Sequence, residues 1–446
     1  MKILGIDIGR GLATCCLLDH FPENPRQYAL DGAQYRQFTA DPKGIREILA
    51  YGADIAVLEP TGTNYSKLWG THLARNGVEV RLVAHHSLKK HREFLRFPDK
   101  DDEFDSFALA HYGWTHLNDP QWFLQMRDQT IVKLREKVLR LAHLNRVQSP
   151  IINRLKQDLE WQFPEIANKD LLARRSKSVP RWIRWIAGEY KSSAFDRKYA
   201  KTCGLGLTDD ARSHARRLVR IIEEEIQIEI ETEKFKQDER FKPYLVVFDV
   251  FGMGDRLQSV ILTQIFPITG FLDENGDRIV IYKRGRYSKK QTKREISRRR
   301  FEKCLGVAPS REASGKKDNR QIVGGSDISR SMLWLWVFTR VSIAKQRDSN
   351  AVAQLIYLWM NAPKRQGIPI RLLRTKTAAH ATRLLFKALV GYVQRGEYVD
   401  LVHYHPNELG HCSLCGGPLT DGECSHCESI RARLLSSWKA AENALK

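Results

Sequence analysis

Long apolar runs are missing from this chain: the longest, MLWLWVF at 332–338, falls far short of the roughly 20 residues that a bilayer-spanning helix needs. The opening MKILGIDIG has no basic stretch leading into an apolar core and a small-residue cleavage site, so no secretory leader is expected. The expected setting is cytoplasmic, prokaryotic and nucleoid-associated, with no membrane partner. Acid is in short supply, with 52 Asp and Glu against 73 Lys and Arg, a net charge of +21. Such a chain favours a polyanionic partner through counterion release. Its basic residues are clustered and do not alternate with acids, which fits nucleic acid better than a merely solvated surface. A membrane surface fits less well still. Cysteine is scarce outside one cluster: Cys15, Cys16, Cys203 and Cys304 are scattered, and no disulfide framework is implied.

What is present reads as several domains, since 446 residues exceed one ordinary core. MKILGIDIG and ATCCLLD alternate around a Gly-rich turn as a β-hairpin would, and DIAVLEP and VEVRLV are further short strands. TNYSKLWGTHLARNG is helical with a stop at Gly77, so residues 1 to about 115 read as an α/β layer. From Ile131 an apolar register runs through Leu134, Val138, Leu141, Asn145, Gln148, Ile152, Leu155 and Leu159, the three-and-four spacing of a coiled-coil seam. Asn145, Gln148 and the following Pro150 are expected to weaken or kink its middle. A second helical run, DDARSHARRLVRIIEEEIQIEIETEKF, predicts a long antiparallel pair, and oligomerisation through it is an equal alternative.

Between these runs, basic residues surround Trp182, Trp185 and Tyr190. Aromatic and basic interleaving suits single-stranded nucleic acid. Trp182, Trp185 and Ile186 nevertheless stand at helical spacing, which favours a small core for the tryptophans though not for the arginines. The Gly252, Met253, Gly254 turn offers backbone N–H groups for a phosphate, although a simple helix cap explains it as well. Between Lys283 and Lys303 there are 11 Lys and Arg against 2 Glu, a density that calls for phosphates. Arg284, Arg286, Lys289, Lys290, Arg298 and Arg299 are the candidate nucleic-acid contacts there. Helices from SDISRSMLWLWVFTRVSIA to TAAHATRLLFKALVGYV complete the unit. Near the end, Cys412, Cys415, Cys424 and Cys427 form two CxxC knuckles eight residues apart, the spacing of one tetrahedral zinc. With all four positions filled by thiolates, that zinc is expected to be structural.

Candidate chemistry rests on four carboxylates and a serine. Asp7 and Glu59 stand at predicted strand ends, while Asp102 and Asp105 in KDDEFDSFALA share one helix face at i and i+3. One or two Mg2+ ions need several carboxylate oxygens at once and can clamp the attacking and leaving oxygens of a phosphodiester. Each acid alone has a bland explanation as a turn or cap residue; their conjunction favours the metal. Ser314 in FEKCLGVAPSREASG needs a metal, base or positive field to act as a nucleophile. Arg311, Lys316, Lys317, Arg320 and Arg330 are nearby in sequence, and Gly315 permits close backbone approach. By spacing alone, a Ser-Gly pair is usually only a turn.

GIDIG, LEPTGTNY and KDDEFDSFALA, followed by FGMG, FEKCLGVAPSREASG and LIYLWMNAPKRQGIPIRLLRTKTAAHATRLL, resemble the DEDD transposases of the insertion-sequence family numbered one hundred and ten, with their Piv-type invertase relatives. The resemblance covers most of residues 1–160 and 240–395. It implies a RuvC-like (RNase H-like) N-terminal domain in which Asp7, Glu59, Asp102 and Asp105 bind magnesium. It also implies that Ser314 attacks a DNA phosphate to form a transient phosphoserine link during strand exchange. Partners implied are DNA, as element ends and target, a noncoding bridge RNA that pairs with both, and further copies of the chain as dimers assembling into tetramers. The chain departs from the family pattern at Asp101, where Thr is usual, at Phe251, where Pro is usual, and at GGSDISRSML, which stands in place of Lys-x-Gly and leaves the role of Arg330 open.

The expected fold class is therefore multidomain α/β plus α. It comprises a RuvC-like DEDD domain at 1–120, a coiled-coil domain with a basic insert at 121–240, a mainly helical serine-containing transposase domain at 241–400, and a zinc ribbon at 401–446. The expected activity is DNA transposition or recombination. The rival is a RuvC-like structure-selective endonuclease that cuts branched DNA with metal-activated water and leaves Ser314 unused. A nucleic-acid-binding protein that keeps only the fold is a third reading, against which the retained carboxylates and serine argue.

Overall fold

The computed structural model describes residues 1–60, 65–97, 100–124, 128–167, 178–284, 290–314, 317–362, 365–407 and 410–445, with the backbone alone at 311–314 and 317–320. The chain forms two compact units, Met1–Arg127 and Asp128–Lys446.

The first unit is built on one five-stranded sheet. Strands β1 (Ile3–Ile8), β2 (Leu12–Leu18) and β3 (Tyr35–Thr39) are antiparallel neighbours, and β4 (Ile55–Leu58) and β5 (Glu79–Leu82) join β1 in parallel, giving the order β3-β2-β1-β4-β5. Helices α1 (Pro25–Asp31), α2 (Pro42–Leu49), α3 (Tyr65–Arg75), α4 (His85–Phe94) and α5 (Asp102–Thr115) complete it. Alternating side chains of β1 feed two cores: Ile3 packs with Phe107 and Leu109 of α5, while Leu4, Ile6 and Ile8 pack with Ile48, Trp69 and Leu73 of α2 and α3. The hairpin, the strands β4 and β5 and the helix ending before Gly77 agree with the sequence reading. Strand β3 went unpredicted because YRQFT buries only Phe38 and lacks an apolar face.

Helix α5 lies unusually close to the sheet, and glycine is the reason. A Cβ on Gly5 would stand 1.9 Å from the carbonyl oxygen of Ser106, and one on Gly113 would meet Val57 and Ile3 at 2.8 and 2.9 Å. The close approach carries the N-terminus of α5 to the end of β1.

The second unit is helical. Its spine pairs α6 (Gln129–Gln162) with the later α10 (Asp209–Lys236); α7 (Pro164–Ala167), α8 (Arg181–Ile186) and α9 (Ser193–Ala200) lie between them in sequence. The pair is antiparallel: Lys137 meets Glu231, Gln148 meets Glu225, and Gln162 accepts from Thr208. Two details correct the sequence reading. Leu144, and not the exposed Asn145, fills the seam, since a helix at 3.6 residues per turn drifts from a strict heptad. Pro150 lies inside α6 without ending it. Trp182 and Trp185 pack with Phe163, Ile186 and Leu218 in a small core, as their spacing indicated.

Helices α11 (Lys242–Val250), α12 (Asp255–Ile265), α13 (Ile296–Cys304), α14 (Asp327–Trp336), α15 (Ala344–Asp348), α16 (Ala351–Asn361), α17 (Ile370–Arg395) and α18 (Ser425–Ala444) form the remaining core. Two exposed hairpins interrupt them, β6 (Val280–Arg284) with β7 (Gln291–Glu295), and β8 (Ser310–Ser314) with β9 (Lys317–Gln321). Cys412, Cys424 and Cys427 share this core with Ile430, Leu434 and Trp438 of α18. No helix among the described residues is long and apolar enough to cross a membrane.

Candidate active site and cysteine cluster

Asp7 is the seventh residue of a chain whose β1 runs beside β4 with Ile6 opposite Leu58. The next residue on each strand is an acid, so the register alone sets Asp7 beside Glu59. Asp102 opens α5 and Asp105 follows one turn later, where the positive end of the helix dipole favours both. The four sequence-predicted carboxylates thus meet in one unit. Burial first, then the charges of Asp102 and Asp105, a hydrogen bond with Asp102 and the charge of Glu59, push the Asp7 carboxyl from its usual range up to about 7. Asp101 plays a different part, since its Oδ1 accepts from the backbone N–H of Glu103 and Phe104 at 2.8 and 3.4 Å, making it the N-cap of α5.

Two basic side chains of α4 face this set, and the sequence reading missed both. Arg92 Nη1 donates to Oδ1 and Oδ2 of Asp105 at 2.6 and 2.9 Å. The His85 imidazole is hydrogen-bonded to Glu59. His85 and Arg92 are seven residues apart, two helical turns on one face, and that spacing was the available signal. Helix α4 is held in place by buried Leu88 and by His91, which pairs with His111 of α5 at 2.9 Å. Burial holds both histidines low, at about 3 and about 4, so this pair is neutral.

A half-buried carboxyl with three carboxylates near it, raised first by burial and then by their charge, is the chemistry of oxygen ligands that a divalent cation could use. The acids are electrostatically coupled to Asp7, but no three of the four offer an oxygen each within 4.8 Å of one another. Among the described residues that spacing is met by Cys412, Cys415, Cys424 and Cys427 alone. There the Sγ atoms of Cys412 and Cys427 are 3.6 Å apart and those of Cys415 and Cys424 3.3 Å, while the N–H groups of Leu414 and Gly417 point at Sγ of Cys412 and Cys415. Four converging sulfurs with backbone donors suit a structural metal such as zinc. The flanking strands are reduced to isolated bridges, and the second knuckle opens directly into α18, with Cys424 as its N-cap.

Ser314 closes β8, its backbone opposite that of Lys317. Sequence spacing suggested only a Ser-Gly turn, and ladder pairing adds the two strands β8 and β9 that flank it. The side chains of Ser314, Arg311, Lys317 and Arg320 and the whole of Gly315 and Lys316 lie outside the described residues, as do Arg286 and Lys289. Arg284, Lys290 and Arg299 are exposed, as nucleic-acid contacts need to be. Arg298 instead lies 3.8 Å from both Glu295 and Glu302. Arg330 pairs with Asp327 and donates to the Gly306 carbonyl at 3.4 Å. At the Gly252 turn, the N–H groups of Gly252 and Met253 donate to the carbonyls of Asp249 and Phe248, so they cap α11 and are not offered to a phosphate.

The mixed sheet thus carries a set of carboxylates at the ends of β1 and β4 and the start of α5. Residues 4–164 match the family model of the DEDD transposases of the insertion-sequence family numbered one hundred and ten, described as a transposase, and over that span the chain is similar to this family. The match supports a DNA transposase or recombinase enzyme activity. No curated protein matches the chain.

Proposed function

We propose that the protein moves its insertion sequence by strand exchange in which Asp7, Glu59, Asp102 and Asp105 hold Mg2+ and Ser314 is the nucleophile. The observation that carries the acidic half is the convergence of all four carboxylates at the ends of β1 and β4 and the start of α5. A central β1 with antiparallel neighbours on one side and parallel ones on the other supports reading the sheet as RuvC-like. A divalent ion bound there supplies Lewis-acid stabilisation of the phosphate and the oxygen that leaves it. In the metal-free protein Asp7 and Asp102, hydrogen-bonded to each other, hold a proton that a bound divalent ion would displace. Ser314 Oγ forms a bond to phosphorus as the DNA P–O bond breaks, and the reverse attack by a new DNA hydroxyl releases the serine.

The exposed hairpin of β6 and β7, with Arg284 and Lys290, supports a phosphate-binding surface for DNA and for a guide RNA. The four-cysteine cluster is read as a structural zinc site, and self-association is read through the α6 and α10 pair.

A plasmid recombination assay with the native flanking DNA tests the reading. Ser314→Ala is expected to abolish junctions and Asp102→Ala to do the same. Normal recombination by Ser314→Ala would refute the phosphoserine step. Metal-dependent cutting of branched DNA that persists in Ser314→Ala but not in Asp102→Ala would point to a water-based nuclease.

A further inference from the structure

We propose that the β6–β7 ribbon enters the major groove of duplex DNA as a blade, with Lys283 and Arg294 on one face and Arg284 and Lys293 on the other, each pair meeting the phosphates of one groove wall. The inference rests on, and deepens, the reading of this hairpin as a phosphate-binding surface.

Register assigns the faces. Residues directly opposite in an antiparallel pair share a face, and faces alternate along each strand. Ile281 stands opposite Arg294 and Lys283 opposite Thr292, so these four share one face. Tyr282 opposite Lys293 and Arg284 opposite Gln291 make up the other. Every residue of 281–284 and 290–294 is exposed, so neither face is packed against protein, and these residues include five Lys and Arg and no acid. Glu295 lies at the root, its side chain 17% exposed, and is shared by Lys293, Arg278 and Arg298 at 3.6, 3.9 and 3.8 Å. The root itself is firm: the Ile279 N–H donates to Oγ of fully buried Ser297 at 2.8 Å, and the Ile296 N–H to the Ile279 carbonyl at 2.9 Å. A bare two-stranded ribbon is thus held out from the core by one end.

Charge and width select the partner. Basic residues on one face would suit a flat patch against the outside of a nucleic acid. Positive charge on both faces suits a slot with phosphates on two sides, which is what a duplex groove is. With side chains on both faces a ribbon is about 10 Å thick, the spacing at which sheets stack. The B-form major groove is about 12 Å wide and the minor groove about 6 Å. The major groove of duplex RNA is deep and narrow, and a single strand offers no second wall.

Fluorescence anisotropy of the full-length, zinc-loaded protein with a labelled DNA duplex, over a series of salt concentrations, tests this. Each phosphate contact adds about 0.9 to the slope of log affinity against log salt. Lys283→Gln with Arg294→Gln is expected to lower that slope by about 1.8, and Arg284→Gln with Lys293→Gln by the same amount. A minor-groove-binding polyamide should leave both decrements in place, and an RNA duplex of the same sequence should show neither. Lys283→Arg with Arg294→Lys, which keeps the charge, should keep the slope. A decrement from one pair alone, an equal decrement on duplex RNA, its disappearance with the polyamide, or its appearance in the charge-keeping variant would overturn the proposal. If neither pair alters the slope while the wild type binds duplex DNA, the blade fails and the DNA-acting reading stands. Absence of duplex binding by the wild type would sink both. The four positions are exposed, so the substitutions leave the core untouched, and circular dichroism melts check that each variant is folded.

Discussion

At the scale of single residues, Asp7 concentrates the electrostatics of the first unit. A carboxyl whose folded pKa is raised favours the protonated fold, so its contribution to stability is complete below its ordinary value near 3.8 and is lost as pH rises through about 7. Without added divalent ions, thermal melts between pH 4 and 7 should show stability falling, by a few °C from this group. Asp7→Asn should flatten that fall, because an amide has no charge to gain. A wild-type melt equally steep in Asp7→Asn would mean another group titrates. Neighbouring Asp101 shows why residue type alone misleads: beside two candidate ligands in sequence, it spends its oxygen on the first turn of α5.

At the scale of elements, the α6 and α10 pair turns on one buried polar contact. Gln148 Nε2 donates to Oε1 of Glu225 at 2.7 Å and to Oδ1 of Asn145 at 2.9 Å, and Glu225 is fully buried. Gln148→Ala removes a donor from a buried carboxylate and is expected to cost about 1–3 kcal/mol. Asn145→Ala, at an exposed position, is expected to stay within about 0.5 kcal/mol. Urea unfolding of both variants checks this, and equal costs would contradict the assigned seam. Helix α5 makes the complementary point about glycine: with Gly5 of β1 against its backbone and its own Gly113 against Val57 and Ile3, it reaches the sheet closely enough for Asp102 to meet Asp7.

At the scale of the whole molecule, the cysteine cluster belongs to the larger core of the second unit, because α18 packs between it and α11 and α16. Removing a structural zinc therefore should loosen more than the cluster. After chelation, hydrogen exchange is expected to rise across 401–445 and along the faces of α11 and α16 that meet α18, while β1 to β5 keep their protection. Exchange confined to 411–427 would show that the core holds without the metal. The first unit, with its own two cores on either side of the sheet, provides the internal reference.

Much of this was determined by the sequence itself. Period-two alternation in GIDIG, the short apolar run of IAVL, the three-and-four register from Ile131, and paired CxxC spacing report local geometry, and local geometry is what side-chain patterning encodes. They were enough for the α/β layer, the helical pair and the cysteine set. Tertiary structure decided the rest. Only the parallel register of β1 with β4 sets Asp7 beside Glu59. Only packing chooses Leu144 over Asn145 and carries α6 through Pro150. Only the docking of α4 on α5 selects Arg92, among the basic residues of HHSLKKHREF, as the partner of Asp105. The physical reason is common to all three: a charge or side chain acquires its role from neighbours distant in sequence, and burial sets the strength of what passes between them.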